Sequence, residues 1–266
     1  MTAPLLSLVK VSKSFSGLSV IDDVSFEVRA GARLALIGPN GAGKTTLFNL
    51  ISGVLGQTSG EIHLDGRDIS TVPSRKRIHL GIARSFQNIR LMPHLSVVEN
   101  VMLGQQARAG TVGAMLAPLS MFGRSLWWRE AEDHLREMEI ETHPGEVVAS
   151  LPYGIKKKIE VVRALISRPK ILLLDEPAAG LNTTETANLR DFLMKVSRSG
   201  VTLLVVEHDM SFVRSLCDQA VVLNFGRKIY EGPTSEVQDN PDVLEAYLGK
   251  RHAPVDVTAN EAADVA

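Results

Sequence analysis

The stretch that decides the fold is GPNGAGKTT, at residues 38–46. It matches the pattern G-x-x-x-x-G-K-[ST], follows the apolar run RLALI (33–37) and precedes the helix-like run TLFNLIS (46–52). In such a strand–loop–helix unit, successive backbone N–H groups cradle a phosphate chain at the helix N-terminus. The pattern therefore predicts a nucleotide site, and a purely structural glycine-rich turn is the weaker interpretation.

The residues of this loop have distinct expected roles in binding the nucleotide. Its glycines let phosphates approach the backbone, Lys44 reaches the β- and γ-phosphates, and the Thr45 hydroxyl is a ligand for Mg²⁺. The predicted phosphate-binding residues are Gly38, Pro39, Asn40, Gly41, Ala42, Gly43, Lys44, Thr45 and Thr46.

A second motif, ILLLDEP at 171–177, ends an apolar run in two adjacent carboxylates. A buried strand of this kind presents Asp175 and Glu176 at the carboxyl edge of a sheet, where ligands bind in open α/β folds. Asp175 suits a water-linked Mg²⁺ partner, and Glu176 is placed to orient or deprotonate an attacking water. The alternative, that both acids cap the next helix, is less favoured with a phosphate loop upstream.

The apolar pattern along the chain predicts an α/β fold. The first 30 residues alternate apolar and polar, which indicates antiparallel strands with one solvated face. Short, almost wholly apolar runs at 33–38, 171–177, 201–208 and 220–224 indicate strands buried on both faces of a parallel sheet. Helical patterns lie between them, at 184–198 and 209–216.

The middle of the chain, about 93–165, has no strand-like run and is predicted to be helical. Ser96 and Glu99 fit a capping box at a helix start, and an acidic and basic helix is expected at 129–139. Another amphipathic helix should start near Gly154. The tail at 251–266 is polar and alanine-rich, and we expect it to be disordered.

Composition narrows the class of partner. With 29 basic and 30 acidic residues, the net charge of -1 creates no global field that would recruit nucleic acid. The single cysteine, Cys217, cannot form an internal disulfide and is predicted to be a buried thiol in a reducing compartment. The sequence has neither a signal-peptide pattern nor an apolar run of 18 residues, so any membrane span is expected in another chain.

The order of GPNGAGKTT, SFQN, LPYG, LLLDEPAAGLN and VVEHDM resembles the ATP-binding subunits of ABC transporters, over about residues 5–249. The resemblance implies a P-loop NTPase fold (an ABC-type nucleotide-binding domain) with an antiparallel β subdomain and a helical subdomain. The α/β core would comprise about 5–92 and 166–249, and the helical subdomain about 93–165.

The resemblance also assigns roles to single residues. Gln87 resembles the glutamine that contacts Mg²⁺ and water and links the nucleotide to the transmembrane partner. His208 resembles the histidine that contacts the γ-phosphate, and Asn182 falls in the loop that crosses to a second subunit. Phe15 resembles the aromatic residue that stacks on adenine, where many relatives have tyrosine. The alternatives are a solvated amide for Gln87, a core side chain for Phe15 and a satisfied strand end for His208.

The family signature, usually L-S-G-G-Q, reads LPYGI at 151–155. The resemblance implies that Leu151, Pro152, Tyr153 and Gly154 face the nucleotide of a partner subunit. Pro152 lacks the serine hydroxyl and an N–H, and Ile155 lacks the glutamine amide, so the backbone at the helix start is the expected donor. The three following lysines, 156–158, oppose the helix dipole. Either they favour an incoming anion or they form a solvated basic face with Lys156 near Glu160.

Further stretches, RSFQNIRLMPHLSVVENV, LWWREAEDHL and EGPTSEVQDNPDVLEAYLG, resemble the branch that energises import of branched-chain amino acids and related amides or small carboxylates. This implies ATP and Mg²⁺ as cofactors and a second ATPase subunit, with a heterodimer favoured over a homodimer. It also implies two integral-membrane permease subunits, an extracytoplasmic solute-binding protein, no nucleic acid, and a peripheral position at the cytoplasmic face of the inner membrane. The alternatives are an ABC-type ATPase acting on ribosomes or DNA and a non-hydrolysing regulator.

Overall fold

The computed structural model describes residues 3–85, 89–107, 126–140, 142–143 and 145–248. The strands are β1 (Leu6–Phe15), β2 (Leu18–Val28), β3 (Arg33–Ile37), β4 (Ser59–Leu64), β5 (Arg67–Asp68), β6 (Ile82–Arg84), β7 (Ile171–Asp175), β8 (Thr202–Val206), β9 (Gln219–Asn224) and β10 (Arg227–Pro233). The α-helices are α1 (Lys44–Ile51), α2 (Ser74–Arg77), α3 (Val97–Leu103), α4 (Leu126–Glu137), α5 (Tyr153–Leu165), α6 (Thr183–Arg198), α7 (Met210–Leu216) and α8 (Pro241–Leu248).

The central sheet has six strands in the order β10-β9-β3-β8-β7-β6. Strands β3, β6, β7, β8 and β9 run parallel, so their carboxyl ends lie along one edge. The predicted α/β fold class is confirmed. The prediction of a parallel sheet missed one strand, because β10 pairs antiparallel with β9 at the sheet edge. A two-residue turn forms this hairpin, with Phe225 and Gly226 both at positive φ (44° and 78°), as a type I′ turn requires.

The second sheet is antiparallel, with four strands in the order β2-β1-β4-β5. The alternation in the first 30 residues predicts β1 and β2 correctly. Strand β4 lies on the other side of β1 and was not predicted, because SGEIHL carries too few apolar residues to stand out.

Two apolar clusters cover the two faces of the central sheet. One joins the antiparallel sheet and α1 to side chains such as Leu36, Leu173 and Leu204. The other joins α3, α5 and α6 to the alternate residues, such as Leu172, Leu174 and Val205. Neighbouring residues of one strand enter opposite clusters, which confirms that these strands are buried on both faces.

The helical region contains α3, α4 and α5. Its predicted capping box is present, because the Ser96 hydroxyl accepts the Glu99 N–H while the Glu99 carboxylate accepts the Ser96 N–H. Residues 108–125 and the predicted disordered tail lie outside the described ranges, and the subdomain boundaries remain predictions. Across the ranges given above, none of the helices is long and apolar enough to cross a membrane.

Candidate nucleotide site

The GPNGAGKTT loop joins β3 to α1 and lies at the carboxyl edge of the central sheet. Helix α1 starts after Gly43 and has no side chain capping its first turn. Its first N–H groups are therefore available to an anion, as the sequence predicts. The predicted phosphate-binding residues thus comprise the loop at 38–43 and the start of α1, with Lys44, Thr45 and Thr46 in its first turn. Asn40, Gly41 and Thr45 are exposed to solvent.

Two glycines of this loop are required by close packing. Gly38 has φ 148°, and a Cβ atom there would lie 2.2 Å from the carbonyl oxygen of Leu223 on β9. Gly43 has φ 101°, and its Cβ would lie 2.6 Å from the Ile21 side chain on β2. The loop is thus held tightly between the two sheets, which fixes the direction of its N–H groups.

Lys44 is held by the loop that precedes it. Its Nζ donates to the carbonyl oxygens of Gly38 (2.6 Å) and Pro39 (2.9 Å). Burial lowers the pKa of Lys44, while the negative charge of Glu176 acts in the opposite direction. The ammonium therefore lies within electrostatic range of the carboxylate that ends the DEP motif.

Asp175 is the last residue of β7, and Glu176 follows it. One oxygen of Asp175, Oδ2, accepts from Nη2 of Arg84 at 2.7 Å. Glu176 adopts φ 46°, an uncommon value for a residue with a side chain, and its N–H donates to the carbonyl of Val206 on β8. Neither acid caps a helix, because Asn182 and Glu185 cap α6, so the capping alternative is wrong.

His208 follows β8 and lies beside Glu176. Its Nδ1 is 3.9 Å from Oε1 of Glu176 and 3.9 Å from Oε2 of Glu207. The side chain is 67% exposed, so His208 faces solvent at this edge and does not satisfy a buried strand end.

Glu207 is a buried carboxylate that the sequence analysis missed. It is 1% exposed and accepts from the N–H of Ala178 at 2.9 Å and of His208 at 3.2 Å. Burial raises the pKa of Glu207, and these hydrogen bonds partly oppose the shift. It therefore joins the end of β8 to the residues after Glu176. Its only sequence signal was an acidic residue directly after an apolar run.

Phe15 ends β1 and is 43% exposed, so it does not belong to the core. The Nζ atom of Lys13 lies 5.0 Å from the centroid of its ring. An exposed ring with a cation at one side is compatible with stacking on a base. Gln87 lies outside the described residues.

The signature residues start α5. Pro152 is its N-cap, makes no side-chain cap, and leaves the first N–H groups of the helix without a capping side chain. The ring of Tyr153 lies against Gly180, and a Cβ at Gly154 would lie 3.2 Å from Oε1 of Glu185. Leu151 is buried. The signature thus packs on the AGLN segment of the same chain.

Asn182 also has a role within its own chain. Its side chain accepts the Glu185 N–H at 2.9 Å, and Glu185 accepts the Asn182 N–H at 3.0 Å. The sequence encodes this capping box as N-x-x-E, whereas the family resemblance implies only a position at the subunit interface for Asn182.

The prediction of a solvated basic face at 156–158 is wrong for its middle residue. Lys157 is 4% exposed, with its Nζ 5.6 Å from the Tyr153 ring centroid. Lys156 donates to the carbonyl of Ala149 at 3.0 Å, and Glu160 pairs with Arg163, so the suggested Lys156–Glu160 contact is not formed. The tertiary packing of α5 turns one lysine inward, and a run of three identical residues does not indicate which one it will be.

The chain is similar to known proteins over almost its whole length. The model of the ABC transporter family matches residues 21–179, and a model described as branched-chain amino acid ATP-binding cassette transporter matches residues 227–253. The high-affinity branched-chain amino acid transport ATP-binding protein BraF of Pseudomonas aeruginosa is 38% identical over 94% of this chain and 100% of its own length. LivG of Escherichia coli strain K12, which has the same description, is 34% identical over 94% and 100%.

Solved structures agree with this assignment. An ATP-binding cassette of an ABC transporter superposes with a TM-score of 0.83 at 27% identity, over 93% of this chain and 100% of that one. The ADP conformation of such a cassette gives a TM-score of 0.80 at 28% identity, over 94% and 100%. The chain belongs to the ABC transporter family, as an ATPase subunit of its branched-chain amino acid transport branch.

Proposed function

We propose that this chain binds ATP with Mg²⁺ at the carboxyl edge of the central sheet and hydrolyses it to drive import of branched-chain amino acids or related amides and small carboxylates. The observation that carries the proposal is the convergence of three strand ends at this edge. Strand β3 supplies the phosphate loop, β7 supplies Asp175 and Glu176, and β8 leads to His208. The names and near-complete coverage of the relatives support the solute class.

Phosphoryl transfer requires positioning and charge neutralisation more than covalent assistance. The N–H groups of the loop and the ammonium of Lys44 hold the phosphates. Glu176 accepts a proton from a water whose oxygen forms a bond to the γ-phosphorus, while the bond from that phosphorus to the leaving oxygen of ADP breaks. His208, 3.9 Å from Glu176, is placed to donate to the γ-phosphate.

The donor set suits Mg²⁺. A Thr45 hydroxyl and the Asp175 carboxylate are hard oxygen ligands, and Mg²⁺ is usually bound by one or two such groups together with waters and substrate phosphates. Within the described ranges, no group of three or more His, Cys, Asp or Glu residues forms a cage for a metal. Thr45, Asp175 and Gln87 are the proposed ligands, and the ion would neutralise phosphate charge during transfer.

The proposed partners follow from the same assignment. A second ATPase subunit, related but different in sequence, would place its nucleotide against Leu151, Pro152, Tyr153 and Gly154, with Asn182 at the same interface. Two integral-membrane permease subunits would receive the motion through Gln87 and residues 93–104, and an extracytoplasmic solute-binding protein would deliver the solute. The chain would then act at the cytoplasmic face of the inner membrane.

The test is purification of the complex, followed by reconstitution. Tagged chain is co-expressed with the permease and ATPase genes of its system, and the complex is placed in vesicles containing ATP. We expect uptake of radiolabelled leucine in the wild type and none in an Asp175→Asn complex. Co-purification with ribosomes or DNA without permease, or uptake independent of ATP, would contradict the proposal. ATP binding without turnover in the complete complex would favour a regulator.

A further inference from the structure

Three lysines follow one another in α5, and the structure gives them different surroundings. Lys156 donates to the Ala149 carbonyl at 3.0 Å, and Lys158 has its Nζ 5.8 Å from the ring centroid of Phe192. Both are partly exposed, whereas Lys157 is 4% exposed. A helix turns about 100° per residue, so Lys157 shares the inward face of α5 with Glu160 and Val161.

The inward face directs Lys157 to the catalytic edge. Its ammonium lies within electrostatic range of the carboxylates of Glu160 on α5, Glu207 after β8, and Glu176 and Asp175 at the end of β7. Lys157 also lines a small cavity together with Ser85, Glu160 and Pro177, the residue after Glu176. A buried cation therefore lies between α5 and the segment that follows β7.

Glu160 extends this contact toward the segment that follows Gln87. It is 2% exposed, accepts the backbone N–H of Arg90 at 3.3 Å, and lies 3.5 Å from the Arg163 guanidinium. Arg163 in turn donates to the Arg90 carbonyl at 2.6 Å. The helix that starts at the signature is thus tied on one side to residue 90 and on the other to the acids at the strand ends.

Burying a lysine is costly, so its place needs an explanation. Burial lowers the pKa of Lys157, and the surrounding carboxylates oppose this shift by favouring the protonated form. An apolar residue of similar length would avoid the cost of desolvation, but it would remove one positive charge from this group of carboxylates. Arg84 beside Asp175 and Arg163 beside Glu160 would remain.

We propose that Lys157 is a positioning residue for ATP hydrolysis, whose buried ammonium, in a cavity shared with Glu160 and Pro177, stabilises the packing of α5 against the segment that carries Glu176. The inference rests on the proposed ATPase function of Glu176. Lys157 acts through the position of Glu176 and not on the nucleotide, which is held by the loop at 38–46. Its removal should therefore slow turnover while ATP affinity is kept. Single substitutions of Lys156 and Lys158, which are partly exposed, should have little effect on turnover.

The test uses the assembled transporter with Lys157→Met, Lys157→Arg, and the matched controls Lys156→Met and Lys158→Met. ATP turnover gives kcat, and a fluorescent ATP analogue gives the dissociation constant. We expect Lys157→Met to lower kcat at least tenfold with the dissociation constant changed less than about threefold, and Lys157→Arg to recover much of the rate. Both control variants should stay within about twofold of wild type.

Three outcomes would overturn the proposal: a kcat for Lys157→Met equal to that of the controls, a loss of ATP affinity parallel to the loss of rate, or no recovery with Lys157→Arg. If Lys157→Met does not fold, Lys157→Arg and the charge-balanced double variant Lys157→Met/Glu160→Gln replace it, and a normal kcat in the double variant would overturn it equally. Failure of the proposed function is distinct, because the wild-type complex would then show no turnover.

Discussion

The guanidinium of Arg84 lies 2.7 Å from the carboxylate of Asp175, and the side chains are only 12% and 11% exposed. Arg84 ends β6, and its Nη1 also donates to Oδ1 of Asn49 on α1 at 2.6 Å. Its guanidinium lies 5.7 Å from the ring centroid of Phe48. One side chain thus joins the strand before Gln87, the helix after the phosphate loop and the acid that ends β7.

Removing Arg84 should therefore be strongly destabilising. Arg84→Met leaves the Asp175 carboxylate enclosed without this partner, and losing one member of a buried pair costs about 3–5 kcal/mol. Urea unfolding of the isolated chain measures the loss. Arg33→Met is the matched control, because the partner of Arg33, Asp218, is 56% exposed and such pairs contribute below about 1 kcal/mol. Equal losses in the two variants would show that Arg84 contributes no more than a surface pair.

Gly38 is expected to tolerate no side chain. In Gly38→Ala the new Cβ would meet the Leu223 carbonyl, a backbone group that cannot move aside, so the loop must shift. We expect ATP affinity, measured by calorimetry, to fall at least tenfold, and the free energy of unfolding to fall by about 1–3 kcal/mol. Gly56→Ala is the control, since its Cβ would meet nothing within 4 Å, and it should change stability by less than about 0.5 kcal/mol.

Substitutions of Gly154 test whether LPYG only starts a helix or also forms a subunit interface. Gly154→Ala needs only a small movement of Glu185, whose side chain is the nearest group at 3.2 Å. Gly154→Asp adds a second carboxylate there, repels Glu185 and places negative charge where the nucleotide of a partner is expected. In a Glu176→Gln background, we predict that Gly154→Asp abolishes ATP-driven association of the ATPase subunits, measured by light scattering, and that Gly154→Ala retains it. With Glu176 intact, a normal rate of ATP turnover in Gly154→Asp would mean that LPYG only starts a helix.

Cys217 is predicted to be unreactive in the folded chain. It is 3% exposed, and burial raises the pKa of its thiol to about 12. At pH 8 only about one thiol in ten thousand is then ionised, and the thiolate is the reactive form. A thiol-specific chromogenic reagent should react at pH 8 only after urea is added. Because the folded pKa is raised above its unfolded value, any stability that this thiol contributes is lost as pH rises from about 9 toward 12. Rapid labelling without urea would contradict the buried position.

The sequence predicts the structural features that depend on local residue patterns. The phosphate loop, the DEP acids, the buried strands and the Ser96–Glu99 capping box are each encoded within a few neighbouring residues, and the structure forms each of these elements as predicted. Arg84 and Asp175 are separated by 91 positions, so no local pattern could pair them.

The remaining misses arise from tertiary packing. Which of three adjacent lysines turns inward depends on what covers α5, and Glu207 is buried where it accepts the N–H of Ala178, 29 positions away. Strand β10 was missed because RKIYEGP is largely polar and pairs only along one edge.

The most direct test concerns Glu176. ATP turnover by the assembled complex is compared between wild type and Glu176→Gln, with ATP affinity measured in parallel. If Glu176 activates the attacking water, its replacement should lower kcat roughly 100-fold or more, in the range for loss of a general base, while the dissociation constant stays within about threefold. Turnover equal to wild type in the Glu176→Gln complex would contradict the account.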